Sequence, residues 1–195
     1  MRFTRYIALW VALLPASVMA GPFGLEMGMT LEQLKKQFTV EEMSPGVYKT
    51  SSVPNPHPDL VFYRLAITPE HGLCKIMTGT GAVTTSAYGS ELRGRYNSFK
   101  SALTAKYGEG AELDFLRSGS IWQEPRYWMM GLLKKERKLI TFWAEKNKPT
   151  IDNLKSVMVE ANAVNVETGF VTVGYEFENA GACLAAMQKA KNSSL

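Results

Sequence analysis

The chain has 195 residues, of which 22 are basic, 18 are acidic and only two are cysteines. So small a basic excess argues against nucleic-acid binding, which usually depends on a pronounced positive patch. Residues 1–20 have the three zones of a signal peptide: a basic start, an apolar run over 6–14 and a Val18-Met19-Ala20 cleavage motif. We therefore expect cleavage before Gly21 and a mature protein in the periplasm or outside the cell.

The mature chain, residues 21–195, is long enough for a single α+β domain with its own core, and no linker suggests a second domain. Loss of Arg2 and Arg5 with the signal lowers the net charge from +4 to +2. The apolar run of the signal is interrupted by Pro15 and is shorter than the roughly 20 residues that cross a membrane. Gly21 stands where a lipid-anchored protein carries Cys, so we expect a soluble mature protein without a transmembrane segment.

Cys74 and Cys183 are the two cysteines of the chain. In an oxidising compartment an isolated pair most simply forms a disulfide, and this one would close a loop of roughly 110 residues, worth on the order of 4–5 kcal/mol. The alternatives are a buried free pair or a metal site. A metal needs more ligands, and His57 and His71 have no ligand-like spacing with the cysteines. We expect a structural disulfide and neither a metal ion nor a cofactor.

The first half of the mature chain predicts a short helix followed by strands. Thr30 and Gln33 match a capping box, the signal that opens a helix. Alternating hydrophobicity places Val61 on the same strand face as Tyr63. The elements predicted here, in chain order, are a helix over 30–38, a brief strand at 47–50 and a hairpin with arms 60–67 and 73–78.

The second half predicts a longer helix followed by a meander. One apolar stripe at helical spacing defines the helix over 90–107, and it consists of Leu92, Tyr96, Phe99, Leu103 and Tyr107. Ser90 is the expected N-cap of this helix and Gly108 its C-terminal stop. The elements that follow are strands at 128–133, 139–143, 156–164 and 170–177 and a helix from Ala180.

Two of these strands flank the charged turn at 134–138, so Trp128 and Trp143 are expected to be cross-strand neighbours. The predicted order is α-β-β-β-α-β-β-β-β-α, with hairpins instead of crossovers between the strands. Hairpins produce an antiparallel sheet, and amphipathic helices must pack on one of its faces. The sequence therefore predicts the α+β class with an antiparallel meander sheet.

The segment Gly28-Met29-Thr30-x-x-Gln33 resembles the opening helix of the SmpA/OmlA (BamE)-like small lipoproteins and of the similar β-lactamase-inhibitor-like fold. The resemblance covers about ten residues, and the chain lacks the lipidated Cys of those lipoproteins. It implies helices before an antiparallel meander and a non-enzymatic envelope protein that binds other proteins. In overall appearance the chain is similar to uncharacterised exported bacterial proteins.

Few residues of the chain are suited to catalysis. His57 and His71 lie in predicted turns. Turns usually lie at the surface, so both are interpreted as surface residues. The sequence contains no G-x-S-x-G elbow and no phosphate-binding loop. Strand alternation places Glu176 and Glu178 on one face, but a half-buried strand displays its polar side in the same way. A hydrolase assembled from distant residues, with His71 and Glu176 as candidates, stays open as an alternative to a binding protein.

Aromatic and basic residues supply the predicted partner surface, which comprises Trp122, Trp128, Trp143, Arg93, Arg95, Lys134, Lys135 and Arg137. Clustered charge steers association, and exposed aromatics mark a partner or ligand surface. The alternative is that the charges are merely solvated and the aromatics lie in the core. We expect a non-catalytic exported protein that binds an envelope protein or an anionic surface. A secreted inhibitor or toxin-related factor is a further alternative.

Overall fold

The computed structural model describes residues 21–144, 148–149 and 151–193, so the predicted signal peptide at 1–20 lies outside the described residues. The strands are β1 (Glu41–Ser44), β2 (Val47–Thr50), β3 (Leu60–Thr68), β4 (Gly72–Thr80), β5 (Val83–Thr84), β6 (Ala111–Leu116), β7 (Arg137–Trp143), β8 (Leu154–Ala163) and β9 (Thr168–Phe177). They form one antiparallel sheet in the order β1-β2-β3-β4-β9-β8-β7-β6, with β5 attached to β9. Two four-stranded meanders therefore meet where β4 lies beside β9. The predicted α+β class with an antiparallel meander is confirmed.

The helices of the described part of the chain are α1 (Leu31–Lys35), α2 (Ser90–Tyr107), α3 (Trp128–Leu133) and α4 (Ala180–Asn192). The capping box at the start of α1 is present, since Thr30 and Gln33 each accept the backbone N–H of the other. Helix α2 buries four members of the predicted stripe: Leu92, Tyr96, Phe99 and Leu103. None of the helices among the described residues is both long and apolar enough to span a membrane.

The hydrophobic core lies on one face of the sheet, which we call the helix-covered face because α2 and α3 pack against it. Cross-strand neighbours share a face, so a row of side chains can be followed from β3 to β7. The central row is buried, and it consists of the aliphatic and aromatic residues Leu65, Ile76, Tyr175, Val157 and Trp143. Helix α2 joins this face through the Tyr96 hydroxyl, which lies 2.5 Å from the Thr141 hydroxyl.

The strand predicted at 128–133 is wrong, because these residues form helix α3. Pro125 begins a 3-10 turn that continues directly into α3, and the buried residues Trp128, Met129 and Leu132 recur at helical spacing. Trp128 is therefore not a cross-strand neighbour of Trp143. Strand β7 pairs instead with β8 on one side and with β6 on the other, the latter in unbroken register from Ala111 to Leu116.

Smaller differences concern three other positions. Residues 41–44 form β1, where no helix or strand was predicted, and α1 ends at Lys35 instead of 38. A register irregularity between Leu60 and Phe62 leaves Val61 exposed instead of buried beside Tyr63.

The start of α2 differs by one residue from the predicted N-cap. Ser90 is the first helical residue, and Gly89 is the N-cap with a φ of 69°. A side chain on Gly89 would strike the Trp128 ring, so only glycine satisfies both the backbone angle and the packing. The predicted stop at Gly108 is confirmed, with its N–H donated to the Thr104 carbonyl.

Cys74 and Cys183 form the predicted disulfide, with a Cα–Cα distance of 6.4 Å across a sequence separation of 109. Both cysteines are buried. The bond joins α4 to β4 at the end of the sheet where β3 turns into β4, and there Asn179 also donates to the carbonyls of His71 and Leu73. The C-terminal helix is therefore attached to the fold mainly at its first turns.

Candidate functional site

The aromatic part of the predicted partner surface is largely inside the protein. Trp143 is 0% exposed and Trp128 is 4% exposed, while Trp122 is half-buried with its ring against Tyr127. Sequence position alone could not show this, because the burial of Trp128 depends on its lying in α3 under α2. Of the two alternatives left open for Trp128 and Trp143, a partner surface or the core, the structure places both residues in the core.

The basic residues of α2 form ion pairs, hydrogen bonds or ring contacts within the chain. Arg95 pairs with Asp59 at 2.6 Å, and the Arg93 guanidinium lies 5.0 Å from the Trp128 ring centroid and donates to the Tyr88 carbonyl. Their neighbours on the same helix behave alike, in the pairs Lys100–Glu112 and Lys106–Asp152. A cationic helix face that would attract an anionic surface is therefore largely neutralised.

The basic residues of the charged turn between α3 and β7 differ in their contacts. Arg137 pairs with Asp114 at 2.9 Å and also lies over the Trp128 ring, whereas Lys134 and Lys135 are solvent-exposed. Two exposed lysines are typical of a solvated turn. The structure thus brings Arg93 and Arg137 to the Trp128 ring, but it does not assemble the eight predicted residues into one exposed surface.

The histidines have no carboxylate within hydrogen-bond reach among the described residues. His57 Nδ1 accepts the backbone N–H of Asp59, and the carboxylate of Asp59 is taken by Arg95. The backbone N–H of His71 is donated to the Thr68 hydroxyl, in the turn between β3 and β4. The arrangement that a histidine general base requires is thus not formed by the described residues.

Glu176 is the other residue considered for hydrolysis, and it is held in an ion pair. Its carboxylate accepts from Lys75 at 2.7 Å and from the Ser156 hydroxyl at 3.3 Å. Burial alone would raise the pKa of Glu176, but the hydrogen bonds and positive charge of Lys75, with the help of Ser156, lower it. A carboxyl group with a lowered pKa is a poor proton donor near neutral pH. The described residues also contain no group of three or more His, Cys, Asp or Glu that could hold a metal ion.

The second face of the sheet carries an open cavity of about 520 Å³. All of its lining residues lie on strands or on the loops beside them, so we call this surface the helix-free face. The lining residues are Phe62, Arg64, Met77, Thr80, Ala82, Glu160, Asn162, Val164, Phe170 and Thr172. Phe62 also lines a second hollow of about 360 Å³ beside β2. Cavities of the first size accommodate small molecules or a few side chains of a partner.

Two glycines of the strands shape this cavity. A side chain on Gly79 would meet the Phe62 ring at 2.9 Å, so Phe62 lies flat against the backbone of β4. On the neighbouring row, a side chain on Gly174 would meet the sulfur of Met77 at 2.7 Å and Cγ of Met158 at 3.1 Å. The cavity wall therefore includes the Phe62 ring and the adaptable thioether side chain of Met77, and such a wall adjusts readily to an apolar ligand.

The uncharged polar side chains of the cavity have hydrogen-bond partners within the chain. The Asn162 amide donates to the Thr172 hydroxyl at 3.2 Å, and the Thr80 hydroxyl accepts the backbone N–H of Val171 at 3.1 Å. The charged groups of the cavity, by contrast, form no ion pairs among the described residues. In the described part of the chain Arg64 has only the Phe62 ring as its partner, at 5.4 Å, and Glu160 has no ion pair. The charges at the cavity are therefore the groups that remain available to a ligand.

The apolar character of the helix-free face continues from the cavity to the β6 edge. Phe142 lies in the same row as Met77 and Met158, and it is 38% exposed. Beyond it, Leu113 and Phe115 on β6 are 44% and 41% exposed. Monomeric soluble proteins rarely leave such contiguous apolar surface open unless it has a binding role.

Comparison with protein-family models, with curated proteins and with solved structures found no match for this chain.

The predicted surface missed this face, although the sequence carries a signal for it. A strand with one solvated face should alternate apolar and polar residues, yet the second set of positions in β3 and β4 includes Phe62, Met77 and Gly79. Apolar residues on both faces of a strand indicate either burial on both sides or a binding surface. Here no helix of the described chain lines the cavity, so these strands are not covered by a helix on both faces.

Proposed function

We propose that the mature chain is an exported, non-catalytic binding protein of the periplasm or the extracellular space. Its ligand is an apolar segment of a partner protein, held against the helix-free face. The observation that carries this proposal is the cavity of about 520 Å³ beside exposed Phe142, Leu113 and Phe115. An apolar surface of this kind gains free energy when a partner removes it from water.

The two unpaired charges of the cavity indicate which charged or polar groups the bound segment should have in addition to its apolar side chains. Arg64 on β3 and Glu160 on β8 are separated by three strand spacings, which is about 14 Å across the sheet. A segment with an acidic group near Arg64 and a donor or basic group near Glu160 would match both ends. Complementary charge then fixes the orientation, while the apolar contacts supply most of the affinity.

Two further observations support the proposal. The buried Cys74–Cys183 bond is typical of proteins that fold in an oxidising compartment, as export requires. The opening helix, with Thr30 and Gln33 in their capping box, resembles that of envelope proteins which bind other proteins and catalyse no reaction.

The test is capture of a partner by the immobilised mature chain from its own envelope fraction, followed by affinity measurement with the purified partner. Phe62→Ala removes the ring at the centre of the face, and we expect at least about a 30-fold loss of affinity, as for a hot-spot residue. Arg64→Glu should weaken binding about tenfold, since it reverses the charge at one end.

Ile121→Ala is the matched control, because Ile121 is 76% exposed and does not line the cavity. It should leave the affinity unchanged, and circular dichroism should show that all three variants are folded. A partner bound equally well by Phe62→Ala and Ile121→Ala contradicts the proposed site. Turnover of a substrate by the purified chain contradicts the non-catalytic role.

A further inference from the structure

The two edges of the sheet differ in how they are protected against pairing with another strand. Edge strand β1 has four residues, begins with Glu41 and Glu42 and has an irregular register with β2 between Glu42 and Ser44. Pro45 follows immediately. Short length, charge, irregular pairing and proline are the devices by which proteins block edge-to-edge association.

Edge strand β6 has neither the irregular pairing nor the following proline of β1, and its two charged residues are acidic. It pairs with β7 over six residues without a register shift, and it contains neither proline nor lysine. No other described residue forms a backbone hydrogen bond with residues 111–116. Since alternate residues of an edge strand direct their N–H and C=O groups away from the sheet, β6 presents a row of such groups for a further strand.

The apolar and acidic side chains of β6 lie on opposite faces of the sheet. Leu113 and Phe115 lie on the helix-free face, and both are exposed. Glu112 and Asp114 lie on the opposite face, where Glu112 pairs with Lys100 at 2.5 Å and Asp114 pairs with Arg137 at 2.9 Å. The acidic row, which would otherwise repel a second acidic strand, is thus neutralised within the chain.

We propose that β6 is a self-association edge and that its partner is β6 of a second copy of this chain, paired antiparallel. Directly opposite residues of an antiparallel pair share a face. Centring the pair on Asp114 places Leu113 of each copy opposite Phe115 of the other. The two Asp114 carboxylates then meet at the centre, each beside its own Arg137.

This register has a consequence for the helix-free face. A slip by one residue would invert one copy and place its apolar residues on the acidic side, so the alternation of β6 specifies the pairing. In the register centred on Asp114, the helix-free faces of the two copies join into one surface. The dimer would therefore present both cavities on the same side.

The expected association is weak. Six paired residues extend only about 20 Å, and interfaces of this size lie at the low end of specific contacts. We expect a dissociation constant on the order of 10–100 µM, which corresponds to a transient dimer.

The experiment is sedimentation velocity of the mature, disulfide-bonded chain from about 1 to about 500 µM, a range that brackets the expected constant. The average mass should rise toward that of a dimer. The double variant Leu113→Lys/Phe115→Lys should remain monomeric over the same range. Met43→Lys is the matched control, since Met43 is an exposed apolar residue of the other edge strand, and it should dimerise like the unmodified chain.

Hydrogen exchange of the unmodified chain provides a readout that does not depend on how the variants fold. Amide protection of residues 111–116 should increase with protein concentration, whereas that of β1 should not. A chain that stays monomeric at the highest concentration overturns the proposal, and so does a dimer that tolerates Leu113→Lys/Phe115→Lys. Protection of β6 that requires added envelope proteins would assign the edge to a foreign strand instead. None of these results depends on ligand binding at the cavity.

Discussion

The two faces of the sheet use neighbouring residues of the same strands for different purposes. On β7, Trp143 faces α2 and is fully buried, and its indole donates to the Gly108 carbonyl at 2.6 Å. Phe142, the preceding residue, faces the other way and is 38% exposed. Apolar side chains on the helix-covered face are packed in the core, whereas similar side chains on the helix-free face are exposed to water. Core packing and the proposed binding surface therefore lie on opposite sides of one sheet.

The pair Trp143→Ala and Phe142→Ala tests this assignment most directly. Removal of the buried indole leaves a cavity under α2 and an unpaired carbonyl at Gly108, so we expect a loss of about 3–5 kcal/mol in the free energy of unfolding. Phe142→Ala should cost only about 1 kcal/mol, because the ring is already partly hydrated. Urea denaturation followed by circular dichroism measures both. Equal losses would show that the helix-free face is part of the core.

The attachment of α4 provides a second comparison, because this helix buries only Ala180 and Cys183 and relies on its disulfide. The double variant Cys74→Ala/Cys183→Ala should lower the free energy of unfolding by about 2–5 kcal/mol, with the loop-entropy value of about 4–5 kcal/mol as the upper end, through greater freedom of the unfolded chain. Hydrogen exchange should show α4 losing protection before the sheet does. Leu184→Ala, at an exposed position of the same helix, should change stability by less than about 0.5 kcal/mol. If α4 stays protected without the disulfide, packing is what holds it.

A smaller, pH-dependent effect on the free energy of unfolding is expected at the polar end of the helix-free face, where Glu176 pairs with Lys75. The pKa of Glu176 is lowered in the folded protein, so its ion pair with Lys75 stabilises the fold at neutral pH, and this contribution is lost as acid protonates the carboxylate. Glu176→Gln should cost about 1 kcal/mol at pH 7, and this difference should shrink toward zero as the pH falls through the lowered pKa. Denaturation curves across this pH range measure it.

Glu41→Gln is the control for that prediction, because Glu41 forms a comparable pair with Lys49 that is far more exposed. Its effect should be near zero at every pH, as for most surface ion pairs. A difference for Glu176→Gln that is independent of pH would mean that the side chain contributes by packing and not by its charge.

Local signals of the sequence predicted much of the fold. The stripe from Leu92 to Leu103, the capping box at Thr30 and the hairpin of β8 and β9 follow from the periodicity and turn chemistry of short segments. The prediction failed where a local pattern was ambiguous. Residues 128–133 are apolar throughout and satisfy strand and helix patterns alike, and the 3-10 turn at Pro125 decides between them.

The surroundings of the predicted partner-surface residues could not be determined from the sequence, for a different reason. Trp128 and Trp143 are equally suited to a core or a surface, and only packing against α2 determines that they are buried. The same holds for Arg95, whose partner Asp59 lies far away in the sequence. Burial and ion pairing depend on which distant segments meet, and a single sequence does not specify these contacts.

The sequence by itself determined the pair Cys74–Cys183, the class of the fold and the positions of most strands, because these depend on composition and on the period of short segments. The tertiary structure alone decided which face of the sheet the helices cover. That choice left Phe62, Met77 and Phe142 without a covering helix, and it brought the unpaired Arg64 and Glu160 to the same cavity. The physical reason is that strand alternation shows two faces, but only the packing of α2 and α3 shows which one is buried.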